Sequence, residues 1–226
     1  MTKILALDTS TDACSVALYL DGDIREDFRI IPRQHTQQLL PMVEAMLNKH
    51  GVAVSDLDAL AFGRGPGSFA GIRIATGVTQ GLAYAADLPV IPVSTLESLA
   101  LAAYEKEGAV KVVAALDARM DEIYVASYVI EQGCPQTVLT EQVSAPSDLQ
   151  LSEGAYLAVG SGWRYVDSMS EDTQAKINVS AETYYPSASC MLKIALPEWQ
   201  SKTVAAADAL PVYLRDEVAW KKKDQQ

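Results

Sequence analysis

An α/β chain built from two copies of a β-β-β-α-β-α unit is predicted by three observations. Short apolar strands and helical stretches alternate in a readable order over residues 3–106. The order restarts after the polar break Glu105-Lys106-Glu107-Gly108. Both copies open on an apolar strand that ends in an aspartate, Ile4–Asp8 and Val110–Asp117.

The first copy justifies itself element by element. Lys3–Asp8 is a short apolar run closed by the turn Thr9-Ser10-Thr11-Asp12. Cys14–Leu20 is a second strand, and Asp21-Gly22 is a hairpin signal before a third, Ile24–Ile31. From Gln34 to His50 the period changes to helical, with Leu39, Leu40, Val43, Met46 and Leu47 on one face. Pro41 is expected to kink this helix or mark its first turn, and Gly51 stands where a C-cap belongs. Leu57–Phe62 reads as a buried strand, Gly63–Ser68 as a glycine-rich loop, and Phe69–Ala86 as a second helix. Pro89–Val93 is the next strand and Ser94–Lys106 the third helix. The second copy is looser: strands Val110–Asp117, Glu122–Ile130, Gln136–Gln142 and Tyr156–Val159, then a helix over Ser187–Trp199. Two such halves suggest the duplicated architecture shared by actin, sugar kinases and Hsp70-type ATPases (the ASKHA fold). The expected lobes are residues 1–107 and a reduced 108–226 with a C-terminal tail.

Composition narrows the function. With 226 residues, 49% hydrophobic and 21% charged, the chain has the make-up of a globular protein. Eighteen Lys+Arg against 29 Asp+Glu leave a net charge of −11, so a free-standing polyanion binder is excluded: gripping a nucleic acid alone needs a cationic surface. Lys221-Lys222-Lys223 is the one basic cluster and reads as a solvated tail. Three isolated cysteines without a C-x-x-C pair argue against a disulfide framework, and two histidines fifteen apart against a zinc site. No signal peptide is read at the N-terminus, and the near-apolar stretch Phe69–Ala86 holds Arg73 and Gln80 and falls short of a membrane span. A soluble cytoplasmic protein is expected.

Two loops have chemistry. Asp8-Thr9-Ser10-Thr11 offers a carboxylate, hydroxyls and backbone N–H groups to a nucleotide phosphate, although a plain hairpin closure explains Asp8 and Ser10 equally. Gly65 and Gly67 lie where a strand opens into a helix, a favoured place for anions, but a tight turn explains Gly65-Pro66-Gly67 more readily. It is no Walker loop, since Ala70 and Gly71 stand where Lys would be required. Ser68 and Ser161 lie outside a G-x-S-x-G elbow, and a triad would have to recruit His35 or His50 from the first helix. Asp117 and Arg119 are expected to tether a turn.

The helix Phe69–Ala86 is short of charge all round. On a helical wheel Gly71, Ile74, Ala75, Val78, Leu82, Ala85 and Ala86 form the sheet-facing side, and Phe69, Arg73, Thr76, Gly77, Gln80, Ala83 and Tyr84 the outer one. Gly77, Gly81 and Ala85 add a row of small residues at i, i+4, i+8. The first helix extends its apolar stripe to Met42 and Ala45. A helix-on-helix protein interface is expected, made by Met42, Ala45, Met46, Arg73, Thr76, Gly77, Gln80, Ala83 and Tyr84.

The segments Ile4-Leu-Ala-Leu-Asp-Thr-Ser10, Cys14-Ser-Val-Ala-Leu18, Arg33-Gln-His-Thr-Gln37, Leu39-Leu-Pro-Met42, Phe62-Gly-Arg-Gly-Pro-Gly-Ser-Phe-Ala-Gly-Ile-Arg73, Asp117-Ala-Arg-Met120 and Pro211-Val-Tyr-Leu-Arg215 resemble the TsaB (YeaZ) family. These are bacterial proteins needed to make threonylcarbamoyladenosine in tRNA. The resemblance extends to the larger paralogue TsaD, whose metal-binding His-x-x-x-His pair falls on Thr95 and Leu99 here. Thr95 is a poor ligand for a transition metal and Leu99 is none. Gly160-Ser161-Gly162-Trp163 is too short for the paralogue's nucleotide loop. The resemblance therefore implies a non-catalytic subunit with no catalytic residues, metal or cofactor of its own, leaving ATP or ADP to the assembled complex. It implies TsaD as partner through the outer N-terminal helices, self-association on the same face, docking of the small ATPase TsaE, and tRNA contact only through the complex. The alternative is a stand-alone actin-fold ATPase or kinase using Asp8 and Asp117.

Overall fold

The computed structural model describes residues 2–215. Two five-stranded mixed sheets carry the same strand order. In the first, β1 (Ile4–Asp8), β2 (Ala13–Leu20), β3 (Asp23–Ile30), β4 (Ala59–Gly65) and β5 (Val90–Ser94) run in the order β3-β2-β1-β4-β5. In the second, β6 (Lys111–Arg119), β7 (Glu122–Glu131), β8 (Cys134–Ser144), β9 (Tyr156–Val159) and β10 (Ile177–Val179) run β10-β9-β6-β7-β8. In both, the first strand pairs antiparallel with the second and parallel with the fourth. The expected duplication is thus present strand for strand, including β10, which the sequence left unread.

The helices are α1 (His35–His50), α2 (Phe69–Ala86), α3 (Thr95–Glu107), α4 (Glu171–Ala175) and α5 (Ala188–Ala195). Gly51 ends α1 in a left-handed conformation at φ 65°, as its position predicts. Pro41 lies inside α1 rather than at its start, which is His35. Ser68 and Ser94 accept the N–H groups of Gly71 and Glu97 and so cap α2 and α3. The expected helix over Ser187–Trp199 is α5 followed by 3₁₀ turns over Leu196–Ser201: Pro197 cannot supply an N–H, and its ring opposes continuation. The second copy is reduced where the first carries its outer helices. Short 3₁₀ segments, Pro146–Asp148 and Ser161–Ser168, and the one-turn α4 stand in for α1 and α2.

Five layers result. Helices α1 and α2 cover one face of the first sheet, burying Leu5, Leu7, Leu18, Leu60 and Phe62. Its other face, Ile4, Ala6, Ala61 and Ile91, is covered by Ala188, Met191, Leu192 and Ala195 of α5, which comes from the second half of the chain. Helix α3, from the first half, packs Leu96, Leu99, Ala100 and Ala103 on the second sheet. The halves have exchanged their last helices. These meet in the middle layer, where Ser98 Oγ donates to Ser187 O and accepts from Ser187 N, both at 3.0 Å. Trp163, Leu149, Leu151 and Met169 close the far face of the second sheet. Among the described residues no helix is long and apolar enough to cross a membrane.

Candidate functional site

The two candidate phosphate loops are pressed against each other. Asp8 ends β1 and is fully buried; its Oδ1 accepts from Ser10 N at 3.1 Å and Ser10 Oγ at 2.9 Å, while its Oδ2 has no partner. Burial pushes its carboxyl up to about 7, outweighing the Ser10 hydrogen bonds that pull it down. The glycine loop lies directly on this turn. Ser68 N donates to Ser10 O at 2.7 Å, and Thr9 Oγ1 donates to Gly71 O at 2.7 Å. A Cβ on Gly67 would sit 2.5 Å from Ser10 O, one on Gly63 would collide with Asp8 Oδ2, and one on Gly71 with Thr9 O. Of the four nucleotide candidates, Ser10 spends its hydroxyl and N–H on Asp8 Oδ1, Gly67 is glycine so that Ser10 can approach, and Gly65 adopts a left-handed φ of 99° beside Val212 O. Hairpin closure and a tight turn account for the contacts of Ser10, Gly65, Gly67 and Asp8 Oδ1.

The second copy repeats the device. Gly160 and Gly162 pack against Ala115 of β6, and Asp117 N donates to Ser161 Oγ at 3.1 Å. Asp117 is tied to its own turn by Arg119 N at 2.8 Å and the Arg119 guanidinium at 3.4 Å, and to the segment after β9 by the Arg164 guanidinium at 3.5 Å. Thr95 and Leu99 are both fully buried, Leu99 in the α3 core. Between the sheets, Arg64 at the end of β4 pairs with Glu141 of β8 at 2.9 Å, and Ser94 Oγ donates to the same carboxylate. Glu97 lies beside this group, its carboxyl raised by burial.

The outer face of α1 and α2 is different in kind. Arg73, Gly77 and Tyr84 are exposed, Tyr84 to 85%; Gln80 is half-buried, and Ala45 is exposed on α1. Four residues expected on this face are not there. Met42 (1%), Met46 (7%), Thr76 (5%) and Ala83 (0%) point into the first core. Thr76 hides its hydroxyl by donating to Ile72 O at 2.7 Å, so a residue that reads as polar belongs to the buried side. Ala85, expected against the sheet, is exposed instead. Gly77 and Gly81 face open space, with nothing within 4 Å of a Cβ built on either.

Phe69 is exposed as expected of the outer side, whereas Leu40, expected on the apolar face of α1, is exposed too, and Tyr213 went unread. Leu40 is 51% exposed and borders a shallow apolar groove of about 290 Å³ lined also by Val43, Leu47, Val52, Val54 and Leu82. Phe69 and Tyr213 sandwich Arg73: its guanidinium carbon lies 3.6 Å from the Phe69 ring centroid, and its Nε donates to Tyr213 Oη at 2.8 Å. Tyr213 arrives on the C-terminal segment, which is held by Val212 N on Arg64 O and by Arg215 on Glu122 and Arg119 O. A partner 140 residues away leaves no local sequence signal. The Lys221–Lys223 cluster lies outside the described residues.

A duplicated actin-like fold whose first β-turn and glycine loop pack on each other, and whose helix α2 carries two exposed glycines, places the chain in the class of actin-like proteins. The comparisons agree on where it belongs. The sequence model of the family described as TsaD, tRNA N6-adenosine threonylcarbamoyltransferase, matches residues 29–222. The tRNA threonylcarbamoyladenosine biosynthesis protein TsaB of Escherichia coli is 46% identical, with 97% of each chain covered. That of Haemophilus influenzae is 42% identical, covering 97% of this chain and 96% of the relative. The solved structure of YeaZ from Pseudomonas aeruginosa superposes with a TM-score of 0.88 at 45% identity, over 95% of this chain and all of that one. The chain belongs to the TsaB (YeaZ) family.

Proposed function

We propose that this chain is a non-catalytic subunit in the biosynthesis of threonylcarbamoyladenosine in tRNA, docking through the outer face of α1 and α2 onto a TsaD-type transferase. The observation that carries the docking is the pair Gly77 and Gly81, mid-helix and facing open space. Each glycine costs a helix roughly 1 kcal/mol relative to alanine. Nothing in the described chain needs them there, whereas a second helix backbone approaching closely would. Leu40, Phe69 and Tyr84 supply exposed apolar surface around them, and aromatic and arginine side chains such as Tyr84 and Arg73 are frequent anchors of interfaces.

The names of the relatives supply the pathway, and the packing of the glycine loop on the turn at Asp8 supports the non-catalytic role. On this reading the same face self-associates when the transferase is absent, the ATPase TsaE and any ATP or ADP act at the assembled complex, tRNA is gripped by other subunits, and the setting is the cytoplasm. The test is calorimetric titration of the chain into a TsaD-type paralogue, beside an ATP-turnover assay of the chain alone. Expected are saturable binding that Tyr84→Ala weakens at least tenfold, and no turnover. ATP turnover by the lone chain that Asp8→Ala abolishes would replace this reading with a stand-alone actin-fold ATPase.

A further inference from the structure

Asp8 carries a fully buried carboxyl whose geometry the docking function does not use. It is wholly excluded from solvent, and its Oδ2 is without a hydrogen-bond partner. The space around that oxygen is filled by the backbone of Gly63 on β4 and the Met191 methyl of α5, so close that a Cβ on Gly63 would overlap both. An ionised oxygen enclosed by protein atoms that offer it no donor is far costlier than a buried neutral hydroxyl. The elements packed on Asp8 bring no compensating charge. The turn contributes Ser10, and β2 contributes Cys14, whose thiol burial pushes up to about 12 and which therefore stays neutral. Behind Cys14, Arg29 and Asp27 of β3 are paired with each other at 2.6 Å. Helix α5 and β4 present Met191 and Gly63.

We infer that Asp8 is a proton-binding site: at mildly acidic pH it is carried as the uncharged acid, and this proton, given up as pH rises through neutrality, locks the β1–β2 turn against the N-terminus of α2. The lock consists of Ser68 N on Ser10 O and Thr9 Oγ1 on Gly71 O, which register the first turn of α2 on the residues next to Asp8. Ionisation places an unpaired charge directly beneath that seam. A carboxyl held above its unfolded-chain value of 3.8 leaves the fold unpenalised below that pH, and stability falls as pH rises through the interval up to the folded value. The inference is independent of what α1 and α2 bind.

The experiment compares the folding equilibrium of the wild-type chain and Asp8→Asn from pH 4.5 to 8, because the difference cancels every other titrating group. The expected ratio of wild-type to variant folding constants drops about tenfold per pH unit across the middle of this range. The intrinsic-rate-corrected exchange protection of the Ser68 amide falls over the same interval in the wild type alone. A flat ratio overturns the inference. Should Asp8→Asn not fold, carbon-13 titration of the Asp8 carboxyl in the wild type decides: a midpoint above 6 supports the proton site and one near 4 refutes it.

Discussion

Replacing Gly77 and Gly81 by alanine separates what the fold needs from what a partner needs. Both lie inside α2, and a Cβ at either meets no atom within 4 Å. Alanine therefore brings no clash and removes the glycine penalty, stabilising the isolated chain by about 0.5–1 kcal/mol per site. For a chain of this size that is a rise of about 2–4 °C in Tm per kcal/mol. The assay is thermal and urea unfolding at concentrations low enough to keep the chain monomeric, paired with partner titration. The two added methyl groups would stand between closely packed helices, where overpacking costs about 1–3 kcal/mol, or roughly fivefold to 150-fold in affinity. A more stable chain that binds less well is the expected result. Lower stability, or unchanged affinity, would refute the reasoning. Gly71→Ala is the contrasting variant: its Cβ would collide with Thr9 O, so it destabilises the chain itself.

Met42→Ala is expected to cost about 2–5 kcal/mol in urea unfolding through the cavity it leaves, because Met42 is a core residue. Tyr84→Ala changes stability by less than about 0.5 kcal/mol, the side chain being largely in solvent, and its effect appears in partner affinity alone. Glu141→Gln leaves Arg64 and Ser94 without a carboxylate and lowers stability by about 1–2 kcal/mol, measured by denaturant unfolding; no loss would show that this tie between the sheets is dispensable.

The central strands were legible because they are apolar runs bounded by turn chemistry, and the repeated Asp-ended strand exposed the duplication. The phase of α2 was not. A helix built from Ala, Gly, Thr and a few aliphatics has weak hydrophobic periodicity, and Thr76 and Thr79 are buried where a wheel places polar residues outward. Met42 and Met46 of α1 were placed on a partner surface for another reason: the apolar stripe there reads as wider than one sheet needs, yet the first core buries both. The exchange of α3 and α5 depends on contacts such as Ser98–Ser187, 89 residues apart, and no local pattern encodes it. The Asp8 turn and the glycine loop were each recognised, but not that they fill one another's space: glycine permits close approach to a ligand and to a neighbouring backbone alike, and only the structure shows the neighbour to be Ser10.

The central claim, a required but non-catalytic subunit, is tested most directly by omission. Unmodified tRNA, threonylcarbamoyl-adenylate, TsaE and ATP are supplied with this chain alone, with the TsaD-type transferase alone, or with both. The account predicts modified adenosine only when both are present, and its loss with Gly77→Ala/Gly81→Ala despite intact folding. Product from this chain alone would contradict it and return attention to Asp8 and Asp117.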